Sequence, residues 1–272
     1  MAQYQAQYTY TLSTEDVAKL IPLHATEVCL FATYSPEARI SRNVELFIKE
    51  LAMHFSLVVV LTNNDRGGGL RDAMHAFPGH VRLCQVPNQC RDFGMWWQVL
   101  RMMSPTTHPN LLRVGLVNDS CSIIGPLAPL FDWARVRPQN ERAFWGVTRS
   151  LENGEHLQSY FLVFEGQEAT WELLAFAAAT DIAPFLRRDK MALVRAFEIG
   201  LSQHMLRRGY KCNAFADLPM LQQVRGSNQR GNNPSYWLWE KLLIVGCPLL
   251  KKARSRIGNV DRIKTYTHPD FA

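Results

Sequence analysis

No run of 18 apolar residues, about the length a bilayer-crossing helix needs, occurs in this 272-residue chain; its longest apolar stretches are CLFATY, LVVVL and LLAFAAA. A soluble protein is expected. The opening MAQYQAQYTYTLSTEDVAKL has no basic segment ahead of an apolar one, so a secretory leader is not expected either. The six cysteines, Cys29, Cys84, Cys90, Cys121, Cys212 and Cys247, never fall at C-x-x-C spacing. That excludes a cysteine zinc finger and fits reduced thiols in a cytoplasmic protein. H-E-x-x-H and G-x-S-x-G are absent, which removes metalloprotease and serine-hydrolase chemistry. The glycine-rich DRGGGL lacks both the Gly-Lys-Ser/Thr ending and the G-x-G-x-x-G spacing of phosphate loops, and reads as a turn.

What is present is a basic chain with a regular apolar alternation. The formal charge is +6 and the pI is near 9.1, which favours anionic partners. Much of the excess follows residue 186, in LRRDK, LRRGYK, RGSNQRG and KKARSR. Two readings of it stand: a solvated basic face, or an attraction for phosphate or an acidic membrane surface. No RNP-like or helix-turn-helix pattern accompanies it, so no nucleic-acid partner is expected.

Strand-like segments at 27–35, 57–64, 80–88 and 111–120 alternate with helical ones at 41–55, 93–103 and 127–136. Strands that are nearly continuous apolar runs predict a parallel sheet covered on both faces. The fold class is therefore α/β, with a Rossmann-like, mostly parallel sheet flanked by helices. AFWGVTRS (143–150) and HLQSYFLVF (156–164) predict added strands with one antiparallel partner, and 169–180 and 190–209 a helical C-terminal part. The expected organisation is an extension at 1–26 with a helix after Ser13, one domain at 27–255 with halves at 27–140 and 141–255, and a tail at 256–272.

Ligands of such sheets bind outside the carboxyl ends of the strands. Polar residues collect there: Thr33, Tyr34 and Ser35, then Thr62, Asn63 and Asn64, then Asn88, then Asn118, Asp119 and Ser120. Asp119 is either a hard oxygen ligand for a divalent cation beside a diphosphate or part of an Asx turn or helix N-cap before GPLAP (125–129). Asp92 is either the N-cap of a helix with a buried Phe93, Trp96, Trp97 stripe or, with Asn88, a partner for sugar hydroxyls. His156, Gln158 and Ser159 open a strand within reach of a phosphate, a metal or an acceptor hydroxyl, although a lone histidine is more often structural. Glu198, in the apolar LVRAFEIGLS, is either a general base or a salt-bridge partner of Arg195, Arg187 or Arg188.

The segments CLFATYSP (29–36), NQCRDFGMW (88–96), LVNDSCSIIGP (116–126), FWGVT (144–148), HLQSYFLVF (156–164), EIGLS (198–202) and NPSYWLW (233–239) occur in this order. Together they resemble the rhamnan synthesis F family of bacterial polysaccharide glycosyltransferases over roughly residues 27–252. The resemblance implies a GT-A-like domain that moves a sugar, rhamnose or another hexose or deoxyhexose, from a nucleotide-sugar donor to a lipid-linked or polysaccharide acceptor. The transfer would be metal-assisted and inverting, on the cytoplasmic side of the inner membrane, with peripheral membrane contact through the basic C-terminal region. The alternative is a non-catalytic scaffold that binds nucleotide sugar or glycan.

By the same resemblance, Asp119 would hold Mg²⁺ or Mn²⁺, with His156 as a second candidate ligand. Thr33, Tyr34 and Asn63 would frame the donor base, and Asn88, Asp92 and Gly94 its ribose or sugar, with Asn118 and Ser120 beside them. His156, Gln158 and Ser159 would reach phosphate or acceptor, and Glu198 would be the general base. The family's glycine and tyrosine before the aspartate are Cys90 and Arg91 here, and its basic residue after the tryptophan is Trp97. These departures bear on which donor fits.

Overall fold

The computed structural model describes residues 12–34, 40–63, 69–87, 89–186, 189–255 and 260–271. Its strands are β1 (Glu27–Thr33), β2 (Leu57–Thr62), β3 (Val81–Gln85), β4 (Arg113–Asn118), β5 (Cys121–Ile123), β6 (Phe144–Ser150), β7 (His156–Leu157), β8 (Phe161–Glu165), β9 (Asn213–Ala216) and β10 (Leu249–Lys251). The helices are α1 (Thr14–Leu20), α2 (Arg42–Ala52), α3 (Gly69–Ala73), α4 (Arg91–Leu100), α5 (Ala128–Arg135), α6 (Gln139–Arg142), α7 (Gln167–Ala179), α8 (Lys190–Leu193), α9 (Gly200–Arg207), α10 (Leu218–Gln223), α11 (Pro234–Trp237), α12 (Trp239–Ile244), α13 (Lys252–Ser255) and α14 (Val260–Lys264).

Eight strands make one mixed sheet in the order β3-β2-β1-β4-β8-β6-β7, with β9 beside β6. The first four run parallel, β8 lies antiparallel between β4 and β6, and β9 is parallel to β6. The apolar runs of β1 and β2 are buried on both sides because alternate residues feed different cores. Val28, Leu30 and Ala32 join α4 and α7 on one face; Cys29 and Phe31 join α2 and α5 on the other. This two-sided demand explains why those strands carry no polar alternation.

The chain from β1 to β3 moves one way across the sheet, then crosses back to place β4 on the other side of β1. The β1/β4 junction is therefore the topological switch point, where the crevice of an open α/β sheet lies.

Helix α4 is held by the expected stripe: Trp96 and Trp97 have no exposure and Phe93 only 5%. Each tryptophan removes about 200 Å² from water, an upper bound on the order of 5 kcal/mol. The Trp96 indole also donates to the Leu30 carbonyl at 3.0 Å, tying α4 to β1.

The structure refines three sequence expectations. HLQSYFLVF is two short strands along the same edge of β6, broken at Gln158, Ser159 and Tyr160, where the pairing register with β6 shifts by two residues and β8 also joins β4. The extension contains the expected helix α1, closed by a Ser13/Asp16 capping box, and Leu12, Val17 and Ile21 are buried in the α4-side core. The long C-terminal helix is interrupted by a π-helical turn, Val194–Ile199, between α8 and α9. All six cysteines are buried and free of disulfides. Among the described residues no helix is long and apolar enough to cross a membrane.

Candidate functional site

The carboxyl edge gathers its polar groups at the switch point. Thr33 at the end of β1 donates its hydroxyl to Asp119 Oδ2 at 3.0 Å, and the Asp119 amide donates to the Ala32 carbonyl. Beside them, Asn118 Oδ1 accepts from the Ser120 amide at 3.0 Å. The Asx turn is thus real. It is also what turns Asp119 outward, so the turn and the site are one feature.

The Asn118 amide nitrogen donates to Asp92, which stands two residues inside α4. Asp92 is not the N-cap: Cys90 holds that position in the left-handed region (φ 59°, ψ 31°) without a side-chain cap bond. Burial raises the Asp92 pKa, and the negative charges of Glu198 and Asp119 push the same way, against a backbone hydrogen bond and Lys251. Gly94 is required by packing, since a Cβ there would meet the Gln89 carbonyl oxygen at 1.4 Å. Asn88, with Ser35 and Asn64, lies outside the described residues.

Towards the open edge of the sheet, a cavity of about 970 Å³ runs between α1 and β3, lined by Asp16, Lys19, Arg82, Gln85 and Asn63 among others. Asn63 Oδ1 is buried there without a hydrogen-bond partner, an acceptor left for something else to satisfy. Tyr34, which follows β1, is 53% exposed and is not among the residues that line this cavity.

A second cluster lies at the break between β7 and β8. Glu198, on the π-helical turn, accepts the Ser159 amide at 2.7 Å and the Ser159 hydroxyl. His156 Nε2 approaches its other oxygen at 3.5 Å, and His156 Nδ1 bonds the Gly154 carbonyl at 2.8 Å. These are the partners of Glu198 in place of Arg195; Arg187 and Arg188 lie outside the described residues. The turn is locked in register by Phe197, which stacks on Phe93 with ring centroids 5.5 Å apart. Gln158 is buried too: its carbonyl accepts from the Thr148 hydroxyl at 2.7 Å and its amide donates to Asn233 Oδ1 at 3.1 Å.

Burial alone would raise the Glu198 pKa, but the hydrogen bonds from His156 and Ser159 outweigh it and hold the carboxyl below its usual range. For His156 burial opposes the charge, and the bonds to Glu198 and Gly154 reverse it, leaving the ring above its usual value. The imidazolium contribution is complete below the unfolded histidine value of ~6.5 and is lost as pH rises through the raised folded one. The Glu198 contribution is present above ~4.3 and is lost as pH falls through its lowered value. Stability is therefore expected to decline as pH rises from ~6 to ~8, with a smaller decline in His156→Gln. Urea unfolding across that range checks it; identical slopes in both proteins would remove the pair from the account.

The expected metal finds an awkward reception. Asp119 Oδ2 receives the Lys252 ammonium at 3.2 Å as well as Thr33, and both His156 nitrogens face Gly154 and Glu198. Among the described residues no three His, Cys, Asp or Glu side chains converge as a metal shell. In this structure the cation at Asp119 is the Lys252 ammonium, which a divalent ion bound there would displace.

Lys251 and Lys252 were missed by the sequence reading. Strand β10 pairs antiparallel with β5, placing Lys251 opposite Cys121. Lys251 Nζ donates to the Ser120 hydroxyl at 2.8 Å and lies 4.8 Å from the Tyr160 ring centroid. The only local signal was the short apolar CPLL ahead of the lysine pair, which does not name its partner strand.

No protein-family model matches the chain, and no curated protein matches it. Among solved structures, it is similar to 4-diphosphocytidyl-2C-methyl-D-erythritol synthase from Anaerococcus prevotii, at 10% identity over 71% of this chain and 89% of that one, with a TM-score of 0.44. A second structure of a 4-diphosphocytidyl-2C-methyl-D-erythritol synthase is similar at 13% identity over 81% of this chain and 97% of that one, with a TM-score of 0.40. Likeness at this level carries nothing about activity.

Proposed function

We propose that the chain is a glycosyltransferase that moves a hexose or deoxyhexose from a nucleotide-sugar donor to a hydroxyl of a bacterial surface glycan. The observation that carries the reading is the line of polar groups along the carboxyl edge, from the unpartnered Asn63 acceptor in its cavity, through Thr33, to Asp119 at the switch point. The strands β2, β1 and β4 are ~4.8 Å apart, so Asn63 and Asp119 sit about two strand spacings from each other. That arrangement suits a ligand with a base at one end and phosphates at the other.

In the transfer, the acceptor oxygen bonds the anomeric carbon while the bond from that carbon to the diphosphate oxygen breaks. The electron pair leaves with the nucleoside diphosphate, and a carboxylate takes the acceptor proton. We assign the proton to Asp92 in preference to Glu198. Asp92 sits at the carboxyl edge beside Asn118, and burial raises its basicity; Glu198 spends its oxygens on Ser159 and His156 and is the weaker base. A base working near neutral pH gains from a raised pKa.

The test is a panel of nucleotide sugars followed by thermal unfolding and by sugar release. One donor at ~100 times its dissociation constant should add about 2.7 kcal/mol, several degrees for a chain of this size, and should be slowly hydrolysed. Binding without release under any condition favours the scaffold; neither binding nor release sinks both.

A further inference from the structure

We infer that Lys251 and Lys252 are the cations that receive the donor diphosphate, so that the site carries its counter-charge in the chain and does not depend on a divalent metal. The inference rests on the glycosyltransferase reading and adds to it the residues that hold the leaving group.

Neighbouring residues of a strand point to opposite faces, so two consecutive lysines do not ordinarily serve one site. Here they do, because the backbone changes between them: Lys251 ends β10 and Lys252 begins α13. The Lys252 amide donates to the Ser120 carbonyl at 3.0 Å, which fixes this change of direction against the turn that carries Asp119. The ammonium of Lys251 then reaches the Ser120 hydroxyl and that of Lys252 reaches Asp119. Both lysines are half-buried, where a charge acts through a lower effective dielectric than in water.

Each ammonium is also aimed. Lys251 lies over Tyr160, a buried ring whose hydroxyl is bonded to Thr148 at 2.8 Å. Lys252 is drawn to the same Asp119 oxygen that Thr33 holds. Asp119 is thereby the positioning residue of Lys252. As the bond between the anomeric carbon and the diphosphate oxygen breaks, negative charge grows on that oxygen, and fixed ammoniums beside it stabilise the leaving group.

The experiment measures calorimetric binding of UDP, TDP, GDP, CDP and inorganic pyrophosphate, each in excess EDTA and in excess Mg²⁺, to the full chain and to Lys251→Met, Lys252→Ala and Lys252→Arg. At least one nucleoside diphosphate should bind in EDTA. Lys251→Met and Lys252→Ala should each weaken it about ten- to a hundredfold, and Lys252→Arg should recover most of the loss. Binding that requires Mg²⁺ and is unmoved by either lysine variant overturns the inference while leaving the glycosyltransferase reading in place. If no nucleotide binds in either condition, both fall. Equal weakening in Lys252→Ala and Lys252→Arg would make Lys252 a packing residue and overturn its part.

Discussion

Asp92→Asn is expected to lower transfer by about 10²- to 10⁴-fold, the usual worth of a positioned general base, while nucleoside diphosphate affinity changes little. The substitution keeps shape and leaves a carbonyl to accept from Asn118, so the contact between α4 and the end of β4 survives. What it removes is the capacity to take a proton. The wild-type pH profile of kcat/KM should also show an acidic limb above the ordinary aspartate value of ~3.9, because burial lifts Asp92, and the limb should vanish in Asp92→Asn. Glu198→Gln provides the contrast. A folded Glu198→Gln protein without transfer, set beside a nearly normal Asp92→Asn, would return the base to Glu198.

The sheet was legible in the sequence because its physical cause is local. A strand buried on both faces must be apolar along its middle, and VCLFA (28–32) and LVVVL (57–61) satisfy that for reasons visible without partners. The polar strand ends were legible for the same reason: Thr33, Asn63 and Asp119 interrupt apolar runs where those runs stop. What could not be read were pairings across long separations. Lys252 lies 133 residues from Asp119, and nothing in KKARSR indicates which strand the preceding residues will join. Glu198 illustrates a second limit. Its apolar neighbours announced burial correctly, but a buried carboxylate becomes a raised-pKa base or a lowered-pKa clamp according to how many donors reach it, and Ser159 is 39 residues away. The break in HLQSYFLVF falls on the polar pair Gln158-Ser159, but a register shift against one partner, β6, shows only once that partner is known.

Glu198→Ala is expected to cost about 3–5 kcal/mol, the range for breaking a buried charged contact by removing one partner. Against a typical total of about 5–15 kcal/mol this lowers the unfolding midpoint by roughly 10 °C. The loss comes from what the missing carboxylate leaves behind. The Ser159 amide and hydroxyl, in a residue only 7% exposed, lose their acceptor, and the His156 imidazolium loses its counter-charge. Glu198→Gln should cost much less in folding, because its carbonyl oxygen still accepts from Ser159. The decisive comparison is a cycle with Ser159→Ala. If Glu198 clamps the break between β7 and β8, the two alanine substitutions together should destabilise less than the sum of each alone, since the second removes a donor the first had stranded. Strict additivity would mean that Glu198 stabilises this region by other means, and the clamp at the π-helical turn would have to be abandoned.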